Sequence, residues 1–319
     1  MTTVVTAIFT YIMINRFIKF LSVRGLAVED IHKPHKPLIP RPGGPAIIIP
    51  IMVVEFILYY FTLDIRILAL SFTLIIAGLI GLVDDIFRLK GITKTILLIF
   101  TSLPIILLSA YTPYLQLPFF EDPARLFIIY PILIIMAIPI TANTINTIDV
   151  FNGAVSGFLI IITIPIILAL SFKGDTTMIL ASLPLLVSTG IFYLYHKNPS
   201  KIFLGDSGTL ALGSMYGALA ISGGVEIVAV VALFPAILNS FFFLSSVRRI
   251  VDHREIKVRP TKMLEDYKIA AVEDHRAPVT LVRLILSDGP LSENQITFSI
   301  FKLAIVSSLL AVITGLLIR

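Results

Sequence analysis

The stretch RILALSFTLIIAGLIGLVDDIFRLKG (66–91) decides the fold: an apolar run ends on two adjacent aspartates, and a basic, glycine-terminated segment follows. A helix needs about 20 residues to cross the hydrocarbon core of a bilayer, and 66–83 is close to that length. The rest of the chain is built the same way. Of its 319 residues 57% are apolar and only 14% charged, and the mean hydropathy is +0.97. Soluble domains carry about a quarter charged residues, so most of this chain has lipid as its solvent.

Ten apolar runs can be marked off between polar breaks, near 2–21, 44–62, 66–83, 95–111, 126–142, 155–172, 176–195, 209–222, 225–247 and 297–318. The eighth is short and rich in Gly and Ala, a composition suited to close helix packing rather than to lipid contact. The expected fold class is therefore all-α and polytopic, with about ten transmembrane helices in a single transmembrane domain, 1–319. Cysteine is absent, which excludes disulfides and thiolate chemistry. Tryptophan is absent too, so Tyr59, Tyr60, Tyr111 and Tyr114 are the candidates for interfacial anchors. No charged start followed by a short apolar run and a small-residue cleavage site is present, so no cleaved signal peptide is expected.

Loop charge sets the orientation. The odd-numbered connections hold eighteen Lys and Arg and the even-numbered ones only Arg66, Arg125 and Lys173. By the positive-inside rule the odd loops face the cytoplasm and, with ten spans, both termini lie outside. Half of the bias comes from the long connection 248–296, yet the shorter loops agree without it. That connection is expected to be a small, partly β cytoplasmic insertion before the last helix. VTLVRLIL (279–286) reads as a strand, SDGP (287–290) as a turn, and Ser292 with Gln295 as a capping pattern ahead of the final span.

Three polar motifs then fall on one membrane face. Asp84-Asp85 ends span three, Asn143, Asn146 and Asp149 end span five, and Asp206 in GDSGT precedes span eight. Each has a plain structural explanation. Carboxylates can terminate a solvated helix, asparagines can join two helices by hydrogen bonds, and an Asp before an apolar run can be an N-cap. Against these readings, acids at a helix C-terminus oppose the macrodipole, and Asp84 and Asp85 repel each other. A carboxylate such as Asp149 at bilayer depth costs roughly 2.5–3.5 kcal/mol on insertion scales. The spacing of three places Asn143, Asn146 and Asp149 on one helix face. A glycine-flanked helix start at Asp206 is also suited to binding phosphate, with Asn198 and Lys201 close by in sequence. Lys33, Lys36 and Arg41 lie in the Pro-rich loop HKPHKPLIPRPGGP, a pattern that also serves as an ordinary basic anchor, and Lys94 follows the paired aspartates. His275-Arg276 sits among charges in the last loop, where a surface role is an equal reading. Scattered aspartates suit magnesium, which takes one or two carboxylates and keeps several waters, better than zinc, which needs a His or Cys cluster that this sequence lacks.

In combination these segments resemble the polyprenyl-phosphate N-acetylhexosamine-1-phosphate transferases. KPLIPRPGGP (36–45), GLVDDIFRLKG (81–91), NTINTIDVFNGAVSG (143–157) and NPSKIFLGDSGTLALG (198–213) carry the likeness in a fixed order, and it extends over the whole chain. The resemblance implies ten spans with a cytoplasmic active site. It also implies transfer of a sugar 1-phosphate from a UDP-sugar to a polyprenyl phosphate, with UMP as the other product. It assigns Asp84, Asp85, Asp206 and Lys36 as catalytic. Asp206 and Asp85 would be ligands of Mg²⁺, with Mn²⁺ as a substitute. Asn143, Asn146, Asp149, Asn198, Lys94, His275 and Arg276 would bind substrate.

Two departures refine this picture. Many bacterial relatives continue the third motif as Asp-Gly-x-Asp-Gly. Here the second acid is replaced by Asn152, which is not expected to be a ligand. The histidine cluster of those relatives is also missing. His275-Arg276-Ala-Pro278 is instead similar to the dolichyl-type enzymes that use UDP-N-acetylglucosamine. The expected protein is a multi-pass enzyme of a prokaryotic, archaeal plasma membrane, working on a UDP-sugar and a dolichyl-like phosphate in the bilayer. It has no nucleic-acid partner, and a homodimer is compatible with the sequence. Another UDP-N-acetylhexosamine or UDP-MurNAc-peptide as donor is the alternative. A transporter is the non-enzymatic rival, although no internal repeat supports it. The D-x-x-D-G-x-x-A-R pattern of phospholipid head-group transferases is absent.

Overall fold

A computed structural model describes residues 2–33, 35–120, 122–248 and 256–318. Residues 249–255 of the expected cytoplasmic insertion, with two of its basic side chains, lie outside the described residues. The long helices are α1 (Thr2–Val23), α2 (Pro45–Thr62), α3 (Ile65–Phe87), α6 (Ile129–Asn146), α7 (Ala154–Lys173), α8 (Thr176–His196), α9 (Gly205–Gly223), α10 (Glu226–Val247) and α12 (Glu293–Leu317). Eight of them, all but α9, are long and apolar enough to cross a membrane. The chain is an integral, multi-pass membrane protein.

The fourth expected span is helical but broken. It runs as α4 (Gly91–Leu98), a 3₁₀ turn (Ile99–Ser102) and α5 (Leu103–Leu107). Pro104 lies in the first turn of α5, a position where its missing N–H costs little.

Among the described residues strands are confined to three short hairpins: β1 (Ala27–Glu29) with β2 (Leu38–Pro40), β3 (Tyr114–Leu115) with β4 (Ala124–Arg125), and β5 (Thr261–Met263) with β6 (Ile269–Ala271). The insertion is thus partly β, but not where its sequence suggests. Residues 281–285 form a helical turn, α11 (Leu281–Ile285), rather than a strand. Thr280 caps this turn by accepting from the Arg283 N–H, and Leu281, Val282 and Leu286 are buried at helical spacing. The cap and the burial outweigh the β preference of its branched residues. The capping box between Ser292 and Gln295 is formed as expected and opens α12.

The least apolar span, α9, is the centre of the bundle. From Ser207 to Gly223 every residue is buried, and α9 packs against α3 and α6. Small residues make this possible. A Cβ on Gly81 of α3 would lie 2.3 Å from the Asp206 carbonyl oxygen, and one on Gly217 2.3 Å from Thr141 Oγ1. Backbones in contact gain dispersion and lose little side-chain entropy, which is how helices associate in lipid.

The helix ends away from the paired aspartates are joined by charge. Arg66 Nη2 lies 2.7 Å from Asp64 and Arg66 Nη1 2.5 Å from Asp175, while Lys173 donates to the carbonyls of Gly223 and Gly224 at 2.9 and 2.8 Å. Lys173 thereby serves two carbonyls that the end of α9 leaves without helical partners. About 28 Å of α9 separate this face from the one bearing Asp206.

Gly81→Ala should lower the thermal midpoint, because the methyl group meets backbone that cannot yield. Gly190→Ala is the contrasting case. Nothing lies within 4 Å of its added Cβ, so it should be neutral or stabilise by about 0.5–1 kcal/mol through the better helix former. Melts of both variants in detergent, followed by circular dichroism, test this, and equal shifts would contradict the close α3–α9 contact.

Candidate active site

The first helical amides of a buried helix need acceptors that water cannot supply. Asp85, near the end of α3, meets this need for α9. Its Oδ1 accepts from the Asp206 N–H at 3.0 Å and its Oδ2 from the Ser207 N–H at 2.9 Å. Gly205 makes the approach possible: its φ is +74°, and a Cβ there would lie 2.8 Å from Asp85 Oδ2. The macrodipole favours an anion at this end.

Asp206 projects from the first turn of α9 into a ring of donors. Arg41 Nη2 reaches Asp206 Oδ1 at 3.3 Å and Asp85 Oδ1 at 3.0 Å. Lys94 Nζ bridges Asp206 Oδ2 and Asp84 Oδ2, each at 2.9 Å. Asn146 Nδ2 lies 3.3 Å from Asp206 Oδ1 and 2.6 Å from Thr209 Oγ1. Asp84 is buried and also accepts from the Leu89 N–H at 2.7 Å. Three carboxylates, two cations and an amide from α3, α4, α6, α9 and the loop after β2 therefore form one connected cluster.

Asp149 stands beside this cluster, but not on the helix face its spacing suggests. The helix α6 ends at Asn146, and Asp149 lies in the turn before α7. No hydrogen bond reaches its carboxylate among the described residues, and His196 Nε2 is 3.8 Å away. Burial pushes the Asp149 carboxyl up to about 7, against the pull of Arg41 and with the help of Asp206 and Asp85. Burial alone would lower Arg41, but Asp85, Asp206 and Asp149 outweigh it and hold the guanidinium above its ordinary range.

The remaining sequence candidates are placed elsewhere. Asn143 Nδ2 turns back to the Pro139 carbonyl of its own helix at 3.1 Å. Asn198 donates to Asn294 Oδ1 at 2.7 Å, and Lys201 lies over the Tyr195 ring. Lys36 is exposed in the turn between β1 and β2, with no side-chain bond to the cluster among the described residues. His275 and Arg276 are exposed and pair with their neighbour Asp274. Arg41, which the sequence presents only as part of a basic loop, is the residue that joins Asp85 to Asp206. The Pro-Arg-Pro-Gly-Gly run that carries it was the available signal, since glycines there allow the loop to pack on backbone at 203–204.

Among the described residues, no three His, Cys, Asp or Glu side chains form a ready-made metal cage. The donor chemistry nevertheless fits a hard cation that keeps its waters and shares phosphate oxygens with a substrate. Asp149 offers a carboxylate with no hydrogen-bond donor among the described residues, and Asp206 projects into the same cluster. Both oxygens of Asp85 serve α9 and Arg41, and both oxygens of Asp206 serve Arg41, Asn146 and Lys94, so a cation would share either acid with these donors.

Residues 67–224 match the model of glycosyl transferase family 4. This region belongs to that family. The matched region contains Asp84, Asp85, Lys94, Asn146, Asp149 and Asp206. The chain is also 28% identical to a Saccharolobus solfataricus protein named as a UDP-N-acetylglucosamine–dolichyl-phosphate N-acetylglucosaminephosphotransferase, over 89% of this chain and 87% of the relative. It is 26% identical to a Bacillus subtilis protein named as an undecaprenyl-phosphate N-acetylglucosaminyl 1-phosphate transferase, over 98% and 91%. A Petrotoga mobilis phospho-N-acetylmuramoyl-pentapeptide-transferase is 28% identical over 75% and 80%.

Lys94 is buried between Asp84 and Asp206, so removing its ammonium takes a compensating charge from two acids. Lys94→Met should cost about 3–5 kcal/mol of stability, and adding Asp84→Asn should recover part of it. A double-mutant cycle from denaturation midpoints checks this. A harmless Lys94→Met would contradict the bridge.

Proposed function

We propose that the protein transfers N-acetylglucosamine 1-phosphate from UDP-N-acetylglucosamine to a polyprenyl, dolichyl-like phosphate, releasing UMP. The reaction would take place at the cytoplasmic face of a prokaryotic, archaeal plasma membrane. The observation that carries this reading is the position of Asp206, at the start of a buried helix, held between Lys94, Arg41 and Asn146 with Asp85 behind it. Two cations, Arg41 and Lys94, held on opposite oxygens of one carboxylate suit a reaction between two phosphates. The names of the relatives supply the substrate class, and the basic odd loops support the cytoplasmic side.

In the proposed reaction an oxygen of the acceptor phosphate attacks the sugar-bearing phosphorus of the nucleotide. The new P–O bond forms as the bond between the two phosphates of UDP breaks, and UMP leaves with the electron pair. The attacking oxygen is already anionic, so no strong base is needed. The chief obstacle is repulsion between the two anions. Arg41 and Lys94 lie where they can offset that charge, and their carboxylate partners fix their positions before substrate arrives. Asn146 holds the Asp206 carboxylate from the α6 side. A divalent cation, for which magnesium is proposed with manganese as a substitute, would be held by Asp206 and Asp85, with Asp149 beside them, and would offset phosphate charge.

N-acetylglucosamine is preferred over an N-acetylmuramoyl-peptide donor because of the His275-Arg276-Ala-Pro278 sequence and the lack of a histidine cluster. Asp84→Asn and Asp206→Asn should each reduce turnover by about a hundredfold or more, equivalent to about 2.7 kcal/mol of transition-state stabilisation, measured per molecule of folded protein. Wild-type rates in both would remove the site assignment. EDTA should abolish activity and Mg²⁺ restore it, measured as UMP release together with the mass of the lipid product from a panel of UDP-sugars. Undiminished activity in metal-free buffer would contradict the cation's role. Substrate uptake into vesicles without UMP would favour a transporter.

A further inference from the structure

The hairpin β1–β2 and the loop after it carry Arg41 to the cluster, and the sequence gives no reason why this exposed, proline-rich segment should hold one position. Part of the answer is backbone pairing. The Phe203 N–H donates to Pro40 at 2.9 Å, and the Gly43 and Gly44 N–H groups donate to Phe203 and Leu204, each at 2.8 Å. The other arm of the hairpin is fixed differently. Asp30, immediately after β1, is 4% exposed, and its Oδ2 accepts from Asn152 Nδ2 at 2.9 Å. Asn152 is 5% exposed, and its backbone N–H donates to Glu293 Oε1 at 2.8 Å. Glu293 is 6% exposed and pairs through its other oxygen with Lys33, which is back on the hairpin. The ring of His32 packs 5.0 Å from that of Phe151.

We propose that Asn152 is a positioning residue that bolts the β1–β2 hairpin and the start of α12 onto the turn bearing Asp149, so that Arg41 and Asp149 face the same cluster. Its amide is required for a simple reason. Its side-chain partner, Asp30, is an acceptor, so the side chain at 152 must donate, while Glu293 accepts from the backbone N–H of the same residue. An aspartate of the same shape would set a third carboxylate against these two, with Lys33 as the only cation bonded to this group among the described residues. Exchange of the two roles is chemically allowed. With asparagine at 30 and aspartate at 152 the same bond forms in reverse, and the Oδ1 of residue 30 still accepts from the His32 N–H, now at 3.2 Å.

The consequence for catalysis rests on the proposed transferase reading, whereas the bolt itself does not, so the test separates them. The chain has no cysteine, and Leu38 in β2 is 69% exposed, so Leu38→Cys accepts one spin label on the hairpin. In the full-length protein in nanodiscs, Asn152→Asp should make the label's spectrum markedly more mobile, and Asp30→Asn/Asn152→Asp should return it to the wild-type line shape. The unlabelled proteins should follow in parallel: kcat/KM falls about tenfold in the single variant and recovers in the exchange. If Asn152→Asp does not fold, Asp30→Ala removes the acceptor and should mobilise the label equally. A label unchanged in Asn152→Asp or Asp30→Ala, or one that stays mobile in the exchange, overturns the proposal. If the wild type lacks transferase activity while the label behaves as expected, the functional reading fails and the bolt stands.

Discussion

The carboxylate of Asp85 on the first amides of α9 is the contact from which the site follows. Because α9 is enclosed by protein, its leading N–H groups cannot turn to water, and an acceptor must come from a neighbouring helix. An acid in the last turn of α3 is unfavourable for α3 itself, since it meets the negative end of that helix. The cost is offset across the interface, where the same acid meets the positive end of α9. This fixes the two helices in register, brings Asp206 beside Asp84, and leaves an excess of negative charge that Arg41 and Lys94 offset in part. The small residues at 81 and 205 let the backbones approach closely enough for the bond to form.

Hydropathy made the helices legible because lipid solvates only apolar runs and backbone must bond to itself there. The failures have local causes. Span four is interrupted by a 3₁₀ turn that a hydropathy average does not register. The run at 279–286 looks like a strand because its residues are branched, yet Thr280 in front of it offers a cap and its neighbours bury it at helical spacing. Spacing of three suggested a common helix face for Asn143, Asn146 and Asp149. Periodicity cannot say where a helix stops, and this one stops at Asn146.

In the site, the sequence revealed which residues are costly to hold in a membrane but not which of them pair. Asp84, Asp85 and Asp206 were legible as acids that stability alone would not choose. That Lys94 lies between two of them depends on the turn after α3 and on α4, which pairwise spacing does not encode. Arg41 was hidden in a loop whose composition equally describes a basic anchor. Asn152, read as a lost ligand, is instead a buried donor between two acids, visible only once α12 and the hairpin are in place. Lys36, His275 and Arg276 remain exposed, away from the bonded cluster.

The most direct test of the central claim is a cryo-electron-microscopy map of the protein with Mg²⁺ and UDP-N-acetylglucosamine, at a resolution that shows side chains. The account predicts the Asp85 carboxylate on the amides of Asp206 and Ser207, with the diphosphate beside Arg41, Lys94 and Asp206. A nucleotide bound at the opposite face, or α3 and α9 acids separated from each other, would contradict it.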